Sequence, residues 1–199
     1  MKAVMPEVPQ QILNWRKRCG ADQWDEMWEG VLHMPPAPNR DHQALEGALE
    51  RWLWTYWAEP RGARVYHQIN VASVGGWPSD YRIPDLVLLT PDRFHIDRNE
   101  YFEGPPLVVV EIHSPGDEAR EKAPFYAELG VPEMWIIDRD AKRPEIYTLG
   151  ENRYDEAPPD GEGWLGSPQT GILLRAEPGG KLAIRRADDP DSLRLLPET

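Results

Sequence analysis

Two acidic residues and one lysine stand where they could bind a metal ion and a phosphate. Asp85 follows Pro84 at the start of an apolar segment, and Glu111 closes the next apolar segment. Carboxylates on neighbouring strands can hold a hard divalent cation such as Mg²⁺ and leave positions for water and a phosphate oxygen. Lys122 would then stabilise the negative charge that develops on the phosphate. The three residues form a minimal set for metal-dependent phosphodiester hydrolysis.

Each of these residues also has an ordinary structural explanation. A Pro-Asp pair is common in turns, and an acid after an apolar strand often marks the point where the chain meets solvent. A single lysine usually lies on the surface. The three positions alone therefore leave open whether they form a site or a solvated surface.

The elements around these residues predict an α/β protein with a mixed sheet flanked by helices. Helical spacing of apolar residues predicts helices at 9–18, at 22–32 and from Asn39 or Asp41 onward. Alternating or continuous apolar runs then predict strands at 64–73, 81–90, 106–112 and 133–138. Asp85 and Glu111 belong to two of these strands.

A further helix is predicted to begin near Pro124 and to end at Gly130, with Lys122 just before it. Because this helix joins two apolar strands, the strands are expected to be parallel neighbours with a right-handed crossover. Residues 143–149 and 172–186 are predicted as edge strands, the latter with a hairpin. We expect residues 1–187 to form a single domain and residues 188–199 a flexible tail.

Composition limits the class of protein. The chain of 199 residues has neither an apolar run near the about 20 residues of a membrane span nor a signal peptide, so we expect a cytoplasmic protein without a membrane partner. Cys19 is the single cysteine, which excludes a disulfide within the chain and a thiolate zinc site.

The net charge of −12 opposes simple nucleic-acid binding, because affinity for phosphates comes mainly from lysine and arginine. Short basic groups could still form a local positive face. They lie at Arg16, Lys17 and Arg18, at Arg139, Lys142 and Arg143, and at Arg185 and Arg186.

An ordered series of motifs resembles a known family. The segments are 82–86 (RIPDL), 107–115 (LVVVEIHSP) and 130–138 (GVPEMWIID), with Glu121, Lys122 and Tyr126 in between. The series resembles the Uma-two family of restriction endonucleases, in the PD-(D/E)XK nuclease superfamily, over about residues 22–149. The resemblance implies a restriction-endonuclease-like fold and an endonuclease that hydrolyses DNA with Mg²⁺ or Mn²⁺. It also implies a homodimer, which is common in that superfamily.

The resemblance implies roles for several residues. Asp85 and Glu111 would be metal ligands, with the carbonyl of Ile112 as a third. The usual lysine, two positions after the second acid, falls at His113, which could contribute or merely pack. Members of the Uma-two family resemble one another in carrying the lysine on the following segment, where Lys122 stands.

Three further residues are candidates near the site. By resemblance to similar nucleases, Glu29 would approach the metal from the first helical region, or else lie exposed. His42 could reach the site from the start of its helix, or serve local hydrogen bonds. Ser114 is expected to cap the next helix rather than act as a nucleophile, because no base stands beside it.

Other functions remain to be weighed. A non-catalytic binding or interaction module could keep the same fold and its carboxylates, which the acidic charge favours. A small-molecule enzyme of another α/β fold would carry a glycine-rich phosphate loop, and none is evident. A group of less easily buried tryptophans is a candidate subunit interface: Trp54, Trp57, Trp77 and Trp164.

Overall fold

The computed structural model describes residues 3–5 and 8–198 of the chain. Within these residues the α-helices are α1 (Gln10–Cys19), α2 (Arg40–Leu53) and α3 (Ala123–Leu129). A π-helical turn (Trp54–Ala58) extends α2, and 3₁₀ turns occupy Glu59–Arg61, Pro91–Ile96 and Arg120–Lys122. Among the described helices, none has the length and apolar character needed to cross a membrane.

The strands of the described residues are numbered in chain order. They are β1 (Ala3–Met5), β2 (Glu26–Trp28), β3 (Val31–Met34), β4 (Arg64–His67), β5 (Asn70–Ala72), β6 (Tyr81–Arg82), β7 (Leu86–Leu89), β8 (Tyr101–Glu103), β9 (Val108–His113), β10 (Glu133–Asp138), β11 (Pro144–Leu149), β12 (Tyr154–Glu156), β13 (Leu165–Gly166), β14 (Ile172–Glu177), β15 (Lys181–Arg186) and β16 (Asp189–Leu196). They form a central sheet in the order β12-β11-β10-β9-β7-β4, a second sheet β1-β3-β2-β6-β5-β8 and a third sheet β13-β14-β15-β16. The predicted mixed α/β fold is confirmed.

Strand β9 lies inside the central sheet and is covered on both faces. Val108, Val110 and Ile112 pack in the same cluster as the apolar face of α2, and Val109 packs in the cluster that contains Tyr126 of α3. Burial on both faces explains the continuous apolar run in the sequence. Glu111 shares the parity of Val109, so its carboxylate lies on the side of α3.

The strand directions bring the two predicted acids together. β9 and β10 are parallel, as predicted, with Glu111 opposite Ile136. β7 runs antiparallel to β9, with Leu86 opposite Val110. The start of β7 therefore meets the end of β9, and Asp85, one residue before β7, lies beside Glu111 and its neighbour.

The helix predicted at 22–32 is wrong, because this segment forms the hairpin of β2 and β3. Trp28 pairs with Val31, so Glu29 and Gly30 form a two-residue turn, and both have positive φ, 49° and 83°. This is the backbone of the tight turn that best matches the twist of a hairpin. The apolar residues of the hairpin have a spacing that also fits a helix, which explains the error.

Two predicted long strands are each divided in two. Residues 64–73 form β4 in the central sheet and β5 in the second sheet, with Gln68 at a φ of 49° between them. Residues 81–90 divide at Ile83-Pro84-Asp85 into β6 and β7. Proline has no N–H for a sheet hydrogen bond, so the chain leaves one sheet here and enters another. Asp85 lies in this break.

The third sheet corrects the prediction of a flexible tail. Residues 189–196 form β16, whose Ser192 and Leu196 are buried. The indole of Trp52 in α2 donates a hydrogen bond of 2.9 Å to the carbonyl of Ser192. β16 therefore packs against α2. The predicted hairpin of residues 172–186 is confirmed as β14 and β15.

Other predictions about exposure also change. β11 is not an edge strand, because β12 pairs with it. β14 and β15 are not edge strands either, because β13 and β16 flank them. Trp57 and Trp164 are buried within the chain and so cannot form a subunit interface, whereas Trp54 is 45% exposed. Trp77 is half-buried and stacks on Tyr101 with ring centroids 4.9 Å apart.

Candidate active site

A pocket of about 290 Å³ lies where the start of β7 and the end of β9 meet the first turn of α2. It is lined by Trp24, Glu26, Pro35, Pro36, Ala37, Pro38, Asn39, His42, Gln68, Ile83, Asp85, Glu111, Ile112, Ser114, Pro115, Asp117, Glu118, Ala119, Lys122 and Arg139. Asp85, Glu111 and Lys122, the three residues singled out from the sequence, share this pocket.

Asp85 is held by backbone on one side and by a side chain on the other. Its Oδ2 accepts a hydrogen bond of 2.6 Å from the backbone N–H of Ile112, beyond Glu111 on β9. Its Oδ1 lies 2.9 Å from His42 Nε2. The first contact orients the carboxylate across the ends of both strands, and the second ties it to α2.

Glu111 and Lys122 form a buried ion pair on the α3 side of the sheet. Lys122 Nζ lies 3.0 Å from Glu111 Oε2, and Tyr126 donates from its hydroxyl to Glu111 Oε1 at 2.8 Å. Burial raises the pKa of Glu111 to about 8, against the opposing effect of Lys122. Burial lowers the pKa of Lys122, but Glu111 and Glu26 more than offset this and hold it above its ordinary value.

Glu26 is a third acid in this cluster and was not found from the sequence. It points inward from β2, and its Oε1 lies 2.7 Å from Lys122 Nζ and accepts the backbone N–H of Ile83 at 2.9 Å. Its Oε2 accepts the indole N–H of Trp28 at 2.6 Å. Glu26 points inward because residues 26–28 form a strand. The helix predicted for this segment gave no reason to place Glu26 at the site.

Glu29, the acid expected to approach the site, does not line the pocket. It occupies the exposed hairpin turn, where its backbone N–H donates to Asp80 Oδ1 at 3.0 Å. Glu26, three residues earlier, is the acid of this segment that reaches Lys122. The turn geometry, which requires positive φ at Glu29, directs that side chain away from the sheet.

Helix α2 contributes His42 and Glu46, one turn apart. Asn39 caps the helix by accepting the backbone N–H of His42 at 3.0 Å, which places the imidazole at the pocket. Glu46 Oε2 lies 3.8 Å from His42 Nε2 and accepts from Gln68 Nε2 at 3.4 Å. Ligand atoms of His42, Glu46 and Asp85 all lie within 4.8 Å of one another. The i, i+4 spacing of His42 and Glu46 was a signal in the sequence that could have found this pair.

His113 and Ser114 build the loop after β9. His113 Nδ1 lies 2.7 Å from Asp117 Oδ1, and the backbone N–H of Ser114 donates to Asp117 Oδ2. The backbone N–H of Ala119 also donates to Asp117, at 3.1 Å. Asp117 therefore holds this turn, and the expected capping by the Ser114 side chain is wrong. Ser114 lines the pocket, and His113 lies behind it.

The sequence and the fold are similar to those of known proteins. Residues 12–177 match the model of the Uma2 family, described as "Putative restriction endonuclease". The chain belongs to the Uma2 family. A crystal structure described as a putative nuclease belonging to DUF820, from Anabaena variabilis ATCC 29413, is similar to this Uma2-family chain, with a TM-score of 0.58 and 20% sequence identity. The match covers 72% of this chain and 81% of that chain. No curated protein matches the Uma2-family chain.

The predicted family and the restriction-endonuclease-like fold are thereby confirmed. The family match extends from α1 to the end of β14, so it includes every element that lines the pocket. The solved structure supports the fold alone, because its sequence identity to the Uma2-family chain is low.

The donor set of the pocket fits a divalent cation. Four carboxylates, those of Glu26, Glu46, Asp85 and Glu111, lie close together here. The contacting side chains that can carry a positive charge are Lys122, His42 and His67. Glu46 Oε1 is buried without a hydrogen-bond partner among the described residues. Carboxylate oxygens are the ligands that Mg²⁺ prefers, and an imidazole suits Mn²⁺ better than Mg²⁺.

Four of the eight basic residues noted in the sequence are paired with acids, among them Arg143 with Glu145. Arg16 binds Asp25, Arg139 binds Asp140 and Arg186 binds Asp188. Arg139 is the member of these groups that lines the pocket of the Uma2-family chain. The positive charge near the site therefore comes from Lys122 and Arg139 rather than from a broad basic face.

The buried acids predict a pH-dependent stability for the metal-free Uma2-family protein. Burial, with a smaller effect of Asp85, raises the pKa of Glu46 to about 7, and Glu111 is raised to about 8. A raised folded pKa stabilises the fold below the ordinary value near 4.5, and this stability is lost as the pH rises through the folded pKa. His42 acts in the same direction. Burial lowers its pKa, but the hydrogen bond to Asp85 and the charges of Asp85 and Glu46 together outweigh burial and raise it.

We therefore expect the free energy of unfolding to fall between pH 5 and pH 9, by on the order of a few kcal/mol. Urea denaturation with a chelator present measures this change. Glu46→Gln should flatten the profile and stabilise the protein at pH 8, whereas Glu128→Gln, at an exposed position of α3, should leave it unchanged. A Glu46→Gln profile as steep as that of the wild type would contradict the burial argument.

Proposed function

We propose that this Uma2-family protein is a metal-dependent endonuclease that hydrolyses DNA phosphodiester bonds with Mg²⁺ or Mn²⁺. The observation that carries the proposal is the convergence of Asp85, Glu111 and Lys122 in one pocket. Two acids with an adjacent ammonium are the groups that metal-dependent phosphate hydrolysis needs. Family membership and the nuclease description of the similar crystal structure support the same activity.

Asp85 and Glu111 would hold the cation, with the carbonyl of Ile112 as a third ligand. His42 and Glu46 lie close enough to Asp85 to contribute from the α2 side. When bound, the cation supplies a Lewis acid for the phosphate and lowers the pKa of a bound water. A bound divalent cation would relieve the repulsion between the four carboxylates. Metal binding would therefore explain why they lie so close together.

Lys122 would bind a non-bridging phosphate oxygen and stabilise the charge that develops during hydrolysis. Its ammonium contacts both Glu26 and Glu111, so its position is fixed before a substrate arrives. Tyr126 orients Glu111, and the Ile112 N–H orients Asp85. Such fixed groups lose little freedom when the substrate binds, which favours catalysis.

The proposal is tested with supercoiled and single-stranded DNA incubated with Mg²⁺ or Mn²⁺. We expect nicks or strand breaks that require the cation and stop on addition of a chelator. Calorimetry with each cation alone measures metal binding independently. If the protein neither cuts DNA nor binds a divalent cation, the non-catalytic binding module becomes the better interpretation.

Two further expectations from the sequence stay predictions. One is a homodimer, which light scattering at several protein concentrations can test. The other is a cytoplasmic location, which fractionation of cells that produce the protein can test.

A further inference from the structure

The candidate active site lies deep in the pocket. Side-chain exposure is only 5% for Glu111, 11% for Lys122 and 4% for Glu26. The volume of about 290 Å³ stands at the lower limit of small-ligand pockets, which span about 300–1,000 Å³. A phosphate must therefore pass below the protein surface to reach Lys122, and the space there suits about one nucleotide.

One wall of the pocket is a stiff proline segment. Pro35, Pro36 and Pro38 fix their own φ angles, and they restrict the residues before them. The segment is held at both ends, by β3 before it and by the Asn39 cap of α2 after it. This segment therefore has little conformational freedom.

A second wall of the pocket is tied to the first. It is the loop 114–119, whose turn is held by Asp117. Glu118 Oε2 in this loop lies 3.0 Å from Nδ1 of His33, which stands near the end of β3 and just before the proline segment. Both side chains are largely buried, at 11% exposure for His33 and 14% for Glu118. This contact links the loop 114–119 to the end of β3.

The pocket also contains an aromatic surface. Trp24 lines it, and its indole N–H donates to Gln68 Oε1 at 3.1 Å, which fixes the ring. Proteins that bind single strands stack bases on such rings, and each stacked base is worth about 1–3 kcal/mol. A stacked, paired base inside a duplex does not offer its face to a protein side chain.

The negative charge of the protein also favours a single strand over a duplex. Duplex DNA carries about one negative charge per 1.7 Å of its axis, and a single strand has a lower charge density. The chain has a net charge of −12, and each basic group noted in the sequence contains at least one residue paired with an acid. The repulsion of a duplex by this surface exceeds that of a single strand.

We infer that the substrate is an unpaired DNA strand, which enters between the proline segment and the loop 114–119 and places a base against Trp24. This inference rests on the proposed nuclease function and specifies its substrate class. In an unbroken duplex, each nucleotide would first have to leave the base stack, at a cost of about a few kcal/mol.

The test compares three labelled DNA substrates of one sequence. They are a single strand, the same strand in a full duplex, and the duplex with a short unpaired stretch. We expect wild-type protein with Mn²⁺ to cut the single strand and the unpaired stretch at least about tenfold faster than the full duplex. Trp24→Ala should raise KM for the single strand about tenfold with little change in kcat, and Trp24→Phe should restore most of the affinity. Trp15→Ala, at a ring 55% exposed and outside the pocket, is the matched control.

Binding by fluorescence anisotropy in Ca²⁺ separates this inference from the nuclease proposal. If single strands bind at least about tenfold more tightly than duplexes but nothing is cut, the inferred preference for unpaired DNA is supported and the proposed hydrolysis is contradicted. If the full duplex is cut at a rate similar to that of the single strand, the inferred preference for unpaired DNA is overturned and the proposed nuclease activity is supported. Equal binding of both forms together with no cutting would overturn both.

Discussion

Asp85→Asn is expected to lower the rate of metal-dependent DNA cleavage by at least about a thousandfold. Asparagine has nearly the shape of aspartate, and its oxygen can still accept the N–H of Ile112. What is lost is one negative charge between the α2 side and the Glu111 side of the pocket. Asp85 contacts His42 on one side and the backbone of Ile112 on the other. No other single substitution should therefore weaken metal binding as much.

Three measurements separate a lost ligand from a damaged fold. Cleavage rates report activity, calorimetry reports Mn²⁺ affinity, and thermal denaturation reports stability with and without Mn²⁺. A bound ligand raises the melting temperature of the wild type. In Asp85→Asn, we expect a metal-free melting temperature within a few degrees of wild type and no increase with Mn²⁺.

Asp155→Asn serves as the control for Asp85→Asn, because the Asp155 side chain is 68% exposed on β12. It should match the wild type in all three measurements. Cleavage by Asp85→Asn within about tenfold of wild type would remove this residue from the proposed mechanism, since a metal ligand contributes several kcal/mol to the transition state.

Lys122→Met is expected to abolish cleavage and to destabilise the metal-free protein by about 3–5 kcal/mol. Methionine fills a similar volume but leaves Glu26 and Glu111 buried without their shared cation. Burial raises the pKa of Glu111, so at pH 5 this acid can take up a proton and the destabilisation should be smaller there than at pH 8. Urea denaturation at the two pH values measures the difference.

A double variant separates the structural role of Lys122 from its chemical role. Lys122→Met combined with Glu26→Gln removes one of the two uncompensated charges and should recover much of the lost stability. It keeps Asp85 and Glu111, so Mn²⁺ binding should persist while cleavage stays absent. Lys17→Met, at an exposed position of α1, controls for loss of a lysine. Restored cleavage in the double variant would show that the ammonium is needed only for folding.

The sequence predicts the central part of the site because strong local signals coincide there. The run before Glu111 is apolar on both faces, and Pro84 interrupts the chain just before Asp85. These features determine where β7 and β9 begin and end. Helix α3 is similarly marked by Pro124 and Gly130, which places Lys122 in the turn before it.

The remaining acids depend on features that local patterns do not reveal. The spacing of Trp24, Met27 and Trp28 suits a helix as well as a hairpin, and only the strand directs Glu26 toward Lys122. Glu46 stands among apolar residues of α2, and its burial becomes evident only when Asp85 and Gln68 arrive from distant strands. β16 begins with charged residues and a proline, which conceals its packing against Trp52.

The packing of β16 links the site to the far end of the chain. His42 and Glu46 depend on α2, and α2 packs against Ser192 and Leu196 of β16. During synthesis on the ribosome, the residues of the pocket emerge well before this support does. A chain that is still growing, or that a protease has shortened before β16, would carry a loosened α2.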